Sequence, residues 1–306
     1  MKNKIGAYLM VMRLPFITAS AIPFFIGAGY VHYIMRFNNF NVFNLEFFLG
    51  LCAAVVSHLG ANVFNNYYDS LSGNDLIDSR DHIFFGGSKV ILRKLLSEKE
   101  VFWTGVFLMG IVGLCVAILQ IRIPHIPIVL FGLAIGVLAI CYTAPPLKLT
   151  YRGLGELVIF ILFGPAIVCG AYTVITKQLF GIPEILLSCP MGFLVAAILY
   201  GNEVPDHDVD KKAGKNTIIV KITPKAAWIG YLFLILGAAV SIIICVFAGI
   251  MPTAALFTLP IFLIFKNPLS IIKTDYNDIE KLKIAAKGTI MGQTLVGIAL
   301  AIVLFL

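Results

Sequence analysis

The sequence predicts an all-α integral membrane protein of nine transmembrane helices, with its N-terminus in the cytoplasm. Three observations carry that expectation. Of 306 residues, 59% are hydrophobic and 13% charged, with a mean hydropathy of +0.95, whereas soluble domains run at about 45–50% apolar and about 25% charged. Nine runs read as membrane spans. The basic residues collect on one side of those runs. A net charge of +7 would suggest nucleic acid in a soluble chain; here its placement matters more than its sum, and no nucleic-acid partner is expected.

A spanning helix needs about 20 mostly apolar residues. In chain order the candidates are 14–34, 46–67, 101–121, 125–144, 155–176, 183–203, 226–248, 251–265 and 285–306. The first follows Lys2, Lys4 and Arg13. It is too long for a signal-peptide core and has no small-residue cleavage site. The eighth is short and holds Pro252 and Pro260. Glycines and prolines in the other spans are tolerable because neighbouring helices re-satisfy the backbone. With the N-terminus inside, twenty Lys and Arg residues fall in inner segments and only Arg36, Arg122 and Lys177 in outer ones. Removing the eighth span would turn the five lysines from 266 to 287 outward and give fifteen against eight, so the bias supports it. Trp103 and Trp228 fall at cytoplasmic helix ends, as interfacial aromatics do. Cys52, Cys115, Cys141, Cys169, Cys189 and Cys245 all lie in apolar stretches without CxxC spacing, so they read as small core residues rather than disulfides or zinc ligands.

Most of the acidic residues fall in two inner loops, after span 2 and after span 6. One stretch, 62–75, contains Asn65 and Asp69, then Gly73 and Asp75; the other, 202–215, contains Asn202, Asp206 and Asp210, then Gly214 and Lys215. Both hold Asn-x-x-x-Asp, 137 positions apart. Four spans separate them, so both face the same side, as in a parallel internal repeat within one domain over 1–306. Asn202, Asp206 and Asp210 occupy one helical stripe at i, i+4 and i+8. Asn62, Asn65, Asn66 and Asp69 form a similar one. Asp75 would sit about 240° round an unbroken helix, and a break at Gly73 would swing it back.

Crowded carboxylates raise one another's pKa unless a cation intervenes. Magnesium takes one or two carboxylates plus the oxygens of a phosphate substrate. Two facing clusters therefore suit Mg2+ around a diphosphate, with Lys148, Arg152 and Lys215 neutralising the remaining charge. His82 and His207 have no partner at metal-ligand spacing and read as loop residues.

These residues resemble the UbiA superfamily of intramembrane prenyltransferases over nearly the whole chain. The superfamily's Asn-x-x-x-Asp-x-x-x-Asp motifs match Asn202/Asp206/Asp210 in full and Asn65/Asp69/Asp75 in a stretched form. That stretched form, with Arg80 and Gly86-Gly87-Ser88-Lys89-Val90, is most similar to the 1,4-dihydroxy-2-naphthoate polyprenyltransferases of menaquinone biosynthesis. Arg13-Leu-Pro15, Ser20, Pro23, Tyr142-Thr-Ala-Pro145-Pro146, Tyr151-Arg152-Gly153-Leu-Gly155-Glu156 and Gly214-Lys215-Asn-Thr217 fit as well. Asn66 departs from the usual Asp, and Lys89 from the more frequent Gly-Arg.

The resemblance implies a UbiA-type bundle of nine helices around a central cavity open to lipid. Asp69, Asp75, Asp206 and Asp210, with Asn65 and Asn202, would hold Mg2+ on a polyprenyl diphosphate. Lys148, Arg152, Lys215 and Lys89 would bind the diphosphate, and Asn65 and Asn202 would support it. As the leaving group departs, an allylic carbocation develops and an electron-rich aromatic acceptor attacks it. Tyr67, Tyr68, Tyr142 or Tyr151 could shield the cation, and Tyr142 is placed with Lys148 among the catalytic residues. The location implied is an inner cell membrane, with the active-site loops in the cytoplasm. Other acceptors within the superfamily are 4-hydroxybenzoate, homogentisate and glycerol-phosphate ether lipids. A lipid transporter is a competing class, but transporters place their charges near the bilayer midplane, and these spans hold almost none. A CDP-alcohol phosphotransferase would need Asp-Gly ahead of Ala-Arg in one acidic motif, which neither stretch contains.

An odd number of spans puts the two termini on opposite faces. A tag after Leu306 is expected to react with a membrane-impermeant reagent applied from outside sealed cells; a tag reached only from the cytoplasm would remove the nine-span topology.

Overall fold

The computed structural model describes residues 4–38, 40–71 and 88–306, and the described chain is helical throughout, with no strand. Helix α1 (Lys4–Val11) is followed by a short 3-10 turn at Leu14–Phe16 and then α2 (Thr18–Met35). Pro15 suits the start of that turn because its missing N–H would be unpaired there anyway, and Arg13 before it is left-handed at φ 53°. The chain bends by 48° between these two pieces. Helix α3 (Leu45–Leu71) carries the first aspartate motif and α4 (Glu98–Arg122) returns beside it. A capping box starts α4: Ser97 Oγ accepts from the Glu100 N–H, while Glu100 accepts from the Ser97 N–H at 2.8 Å.

Helix α5 (Ile128–Thr143) precedes the pair α6 (Gly155–Phe163) and α7 (Pro165–Thr176). The expected span 155–176 is therefore one apolar segment interrupted at Gly164-Pro165. A Cβ at Gly164 would come within 2.8–3.0 Å of Phe160 O, Ser188 O and the Gly192 Cα. Helix α8 (Ile182–Lys212) can approach this closely only because both contact residues are glycine. The short α9 (Ile218–Ile222) leads to α10 (Ala227–Phe247). A 3-10 segment, Thr253–Phe265, then runs into α11 (Lys266–Thr274), and α12 (Ile279–Phe305) closes the bundle. The centre is built on α8, α2 and α12, with Met191, Leu194, Phe24 and Val296 fully buried, and the Tyr231 and Thr289 hydroxyls 2.7 Å apart tie α10 to α12.

Seven helical segments among the described residues are long and apolar enough to cross a bilayer, and an eighth if the bent pair of α1 and α2 counts as one span. The fourth expected span, 125–144, is the shorter helix α5 of 16 residues. The proline-containing eighth segment is resolved by its geometry. A 3-10 helix rises about 2.0 Å per residue against about 1.5 Å for an α-helix. Its 13 residues then reach roughly 26 Å rather than roughly 20 Å, and α11 continues it into one apolar segment of 22 residues. All six cysteines are free, as their placement in apolar runs predicts.

At the end of the bundle away from the aspartate motifs, the three cations that depart from the charge bias are each accommodated. Arg122 and Lys177 both bind the carboxylate of Glu46, at 2.9 and 2.8 Å, and that side chain is 2% exposed. Arg36 stacks on Tyr33 and Phe37 and donates to the Tyr33 carbonyl. One buried carboxylate thus joins α3, the end of α4 and the turn after α7. Glu46→Gln strands two cations that are each 42% exposed. Its expected cost is about 2 kcal/mol, between an exposed pair at about 0–1 and a buried one at about 3–5. Thermal unfolding in detergent should show a midpoint lower by several degrees, with little further loss when Arg122→Gln is added.

Candidate active site

Two helices longer than a bilayer is thick bring the motifs together. Helix α8 has 31 residues, roughly 46 Å against an apolar layer of roughly 30 Å. Its last eleven residues, with Asn202, Asp206 and Asp210, therefore extend past the membrane. Asp210 is buried at 6% exposure, Asp206 is half-buried, and Asp208 between them points outward to His207. The stripe read from the spacing is the stripe that forms.

The turn after α8 explains the position of Lys215. Gly214 is left-handed at φ 74°, the αL conformation favoured just past a helix end. The N–H of Lys215 then returns to the Asp210 carbonyl at 2.8 Å, and its ammonium reaches Asp210 Oδ1 at 3.4 Å. The same ammonium lies within electrostatic reach of Asp69 and Asp206, and Asp210 within reach of Asp206 and Asp69. Carboxylates from α3 and α8 thus share one cation. Burial opposes the charge on Lys215, but Asp69, Asp210 and Asp206 outweigh burial and raise its pKa above the ordinary lysine range.

Tyr151 is the strut beneath this cation. Its ring lies under Lys148 at 4.9 Å and under Lys215 at 5.3 Å, while its carbonyl accepts from the Asn216 N–H at 2.9 Å. Lys221 adds a bond to the Arg152 carbonyl at 2.9 Å. The loop after α5 is thereby fastened to the loop after α8. The Tyr151 ring thus holds two lysines side by side. Tyr142 lies beside the Thr150 hydroxyl and within reach of Glu203, Lys215 and Glu156. Tyr67 instead packs against Tyr68 and Phe102.

In the first motif, Asn65 Oδ1 accepts from the Thr143 hydroxyl at 2.9 Å, and Asp69 is half-buried at the end of α3. Asn66 is 2% exposed. Its amide donates to the Asn62 carbonyl at 2.8 Å and toward the Val11 carbonyl at 3.5 Å, and accepts from the Ser88 N–H and hydroxyl at 2.8 and 2.6 Å. A carboxylate has no N–H to give, so this position serves hydrogen bonding and not acidity. It pins the loop at Ser88 and, beside it, the buried Lys89 at φ 53°. Arg152 is exposed, with its guanidinium on the Pro146 carbonyl at 3.3 Å. Gly73, Asp75, Arg80 and His82 lie outside the described residues, and α3 remains helical to Leu71.

Two residues that sequence reasoning left aside are buried behind the site within electrostatic reach of each other: Glu156 and Glu203, whose Oε1 and Oε2 respectively are buried without a hydrogen-bond partner. Their signals were present, since Glu203 follows the motif Asn202 and Glu156 ends the Gly155-Glu156 string. Asn202 Oδ1 is a buried acceptor with no partner, which suits a cation or a donor at the motif. Among the described residues no group of three or more His, Cys, Asp or Glu side chains could by itself hold a metal ion. Asp69, Asp206, Asp210 and the Asn202 amide offer oxygen donors, the kind Mg2+ takes alongside phosphate oxygens.

The sequence profile of the UbiA prenyltransferase family matches residues 20–285. UbiA prenyltransferase domain-containing protein 1 of Mus musculus is 28% identical over 235 residues, covering 75% of this chain and 65% of that protein. The Drosophila melanogaster homolog is 27% identical over 236 residues, 76% of this chain and 62% of its own length. The matched region thus spans just under two thirds of these relatives. A UbiA homolog from Aeropyrum pernix K1 superposes with a TM-score of 0.66 at 16% identity, over 92% of this chain and 97% of that one. One from Archaeoglobus fulgidus, bound to GPP and Mg2+, gives 0.65 at 16%, over 98% and 99%.

Replacing Lys215 with Met leaves three carboxylates facing one another without a cation. Their folded pKa values rise, so protonation favours the folded state and stability falls as pH rises. In EDTA, the thermal midpoint of Lys215→Met is expected to climb toward wild type as pH drops from about 8 to about 5. A midpoint gap that stays constant across that range would disprove the shared-cation reading.

Proposed function

The chain belongs to the UbiA prenyltransferase family, and on that premise we propose that it moves a polyprenyl group from its diphosphate to an aromatic quinone precursor, with 1,4-dihydroxy-2-naphthoate as the first candidate. The observation that carries this reading is the convergence of Asp69, Asp206 and Asp210 on Lys215, with Lys148 held alongside by Tyr151. Such an arrangement accepts a highly charged phosphate group together with divalent cations, and has little use for a neutral ligand.

In this reading Asp69, Asp75, Asp206 and Asp210, with Asn65 and Asn202, hold Mg2+. Bound magnesium supplies charge neutralisation for the departing diphosphate. Lys215 and Lys148 contact diphosphate oxygens, and their shared tyrosine keeps both ammonium groups aimed before the donor arrives, so little reorganisation is needed during the reaction. Lys89 and Arg152 serve the same anion from the flanking loops. Tyr142 orients its face to the allylic cation. The apolar tail stays among the spans, where no polar partner is required. The motif loops lie on the cytoplasmic side of an inner membrane, with nine crossings and the N-terminus inside.

Purified protein in detergent, given Mg2+, a polyprenyl diphosphate and a panel of acceptors, tests this directly. Transfer to dihydroxynaphthoate is expected, and it should be lost in EDTA. Transfer only to 4-hydroxybenzoate, homogentisate or a glycerol-phosphate lipid would move the acceptor assignment and keep the chemistry. Asp69→Asn and Asp206→Asn are each expected to lower kcat by about 10²-fold or more. Full magnesium-dependent activity in both would overturn the metal assignment.

A further inference from the structure

His58 is an ionisable side chain in the middle of α3 that the chemistry above leaves unused. It shares the helical stripe of Asn62, Asn65 and Asp69, at i, i+4, i+7 and i+11. Along the axis it lies roughly 10 Å from Asn65 and roughly 16 Å from Asp69, toward the membrane interior. Its Nδ1 is 3.1 Å from Ser20 Oγ on α2, and Phe163 at the end of α6 stands edge-on to its ring at 4.8 Å. An ionisable group inside a spanning helix points to function by default.

Ser20 Oγ lies 3.1 Å from both the Ile17 carbonyl and His58 Nδ1, and that carbonyl also accepts from the Ser20 and Ala21 N–H groups. With the Ser20 hydrogen on the carbonyl, Ser20 Oγ accepts from His58 and Nδ1 carries the ring hydrogen, which is the tautomer taken below. In the neutral imidazole Nε2 is left as a bare acceptor. Among the described residues Nε2 has no hydrogen-bond partner, and His58 as a whole is half-buried. An unpaired lone pair within a helical bundle is a site for a donor brought by a ligand.

We propose that His58 Nε2 receives the hydroxyl proton of the aromatic acceptor and so activates its ring, an inference that rests on the prenyl-transfer reading. Of the two substrates only the acceptor can satisfy this atom. The prenyl chain has no O–H or N–H, and the diphosphate belongs at the aspartate end of the stripe. The step balances for an acceptor prenylated at a ring C–H. The O–H proton moves to Nε2 while a ring electron pair forms the C–C bond to prenyl C1. The C–O bond of the donor breaks, and its electron pair leaves on diphosphate. The resulting dienone then loses its ring proton to water, and the imidazolium returns its own proton to the oxygen. The products are the prenylated acceptor, diphosphate and one proton.

Steady-state kinetics of full-length His58→Gln and His58→Ala, with Mg2+, a polyprenyl diphosphate and the aromatic acceptor, test the assignment. Gln keeps a polar group near the Nε2 position without basicity. Both variants are expected to lose about 10²-fold or more in kcat, the range of a general base, with the donor KM unchanged. The deficit should shrink for acceptors with more acidic hydroxyls, and added imidazole should restore part of the His58→Ala rate. Variants within a few-fold of wild type would overturn the proposal. So would a deficit indifferent to both acceptor acidity and imidazole, which would make His58 a packing residue. Wild-type protein that transfers to no aromatic acceptor would overturn the underlying reading as well, and that arm is scored separately.

Discussion

Three carboxylates delivered by two helices repel one another in a half-buried place, and a positive charge among them offsets that cost. Lys215 is that charge, and much of the local architecture follows from putting it there. Gly214 adopts the left-handed turn that folds the chain back onto the end of α8. Tyr151 supports the ammonium from below and aligns Lys148 beside it. Bonds from Asn216 and Lys221 to the 151–152 backbone lock the two loops together. The same repulsion that demands a lysine in the resting protein makes the cluster receptive to divalent cations and their phosphate ligands.

The bilayer sets the second constraint. A chain this apolar can satisfy its backbone only as helices, and the interruptions at Gly164-Pro165 and in Thr253–Phe265 occur where other helices pack against them. Charge is confined almost wholly to one end. At the other end Glu46 neutralises two of the three cations present and aromatic rings take the third. The polar stripe of α3 runs inward from Asp69 to His58, so one helix face passes from a carboxylate at the membrane surface to an imidazole within the bundle.

Much of this was legible in the residues. Hydropathy located seven of the nine expected spans, and an eighth as a bent pair, because a run that crosses lipid must be apolar along its length. The spacing of Asn202, Asp206 and Asp210 located a stripe, because a helix has one period. Asn66 was less legible: as a residue type it says only that a carboxylate is absent, and its four hydrogen bonds involve groups from Val11 to Ser88. Arg152 reads as a partner of the anion, and its resting contact with the Pro146 carbonyl, six residues away, is set by the turn between them. Glu156 and Glu203 stood in quoted motifs, but their proximity depends on how α6 packs against α8.

By itself the sequence determined the membrane class, the sidedness of the charge and the two aspartate stripes, since each depends on composition or on the period of a single helix. Only the tertiary structure decided which cation the carboxylates share, that Tyr151 is a strut, and that the eighth segment gains its reach as a 3-10 helix. It also decided that Ser20, 38 positions away, is the partner of His58 Nδ1. These are contacts between residues far apart in the chain. They depend on packing and on the competition among donors for a limited set of acceptors, which no local pattern records.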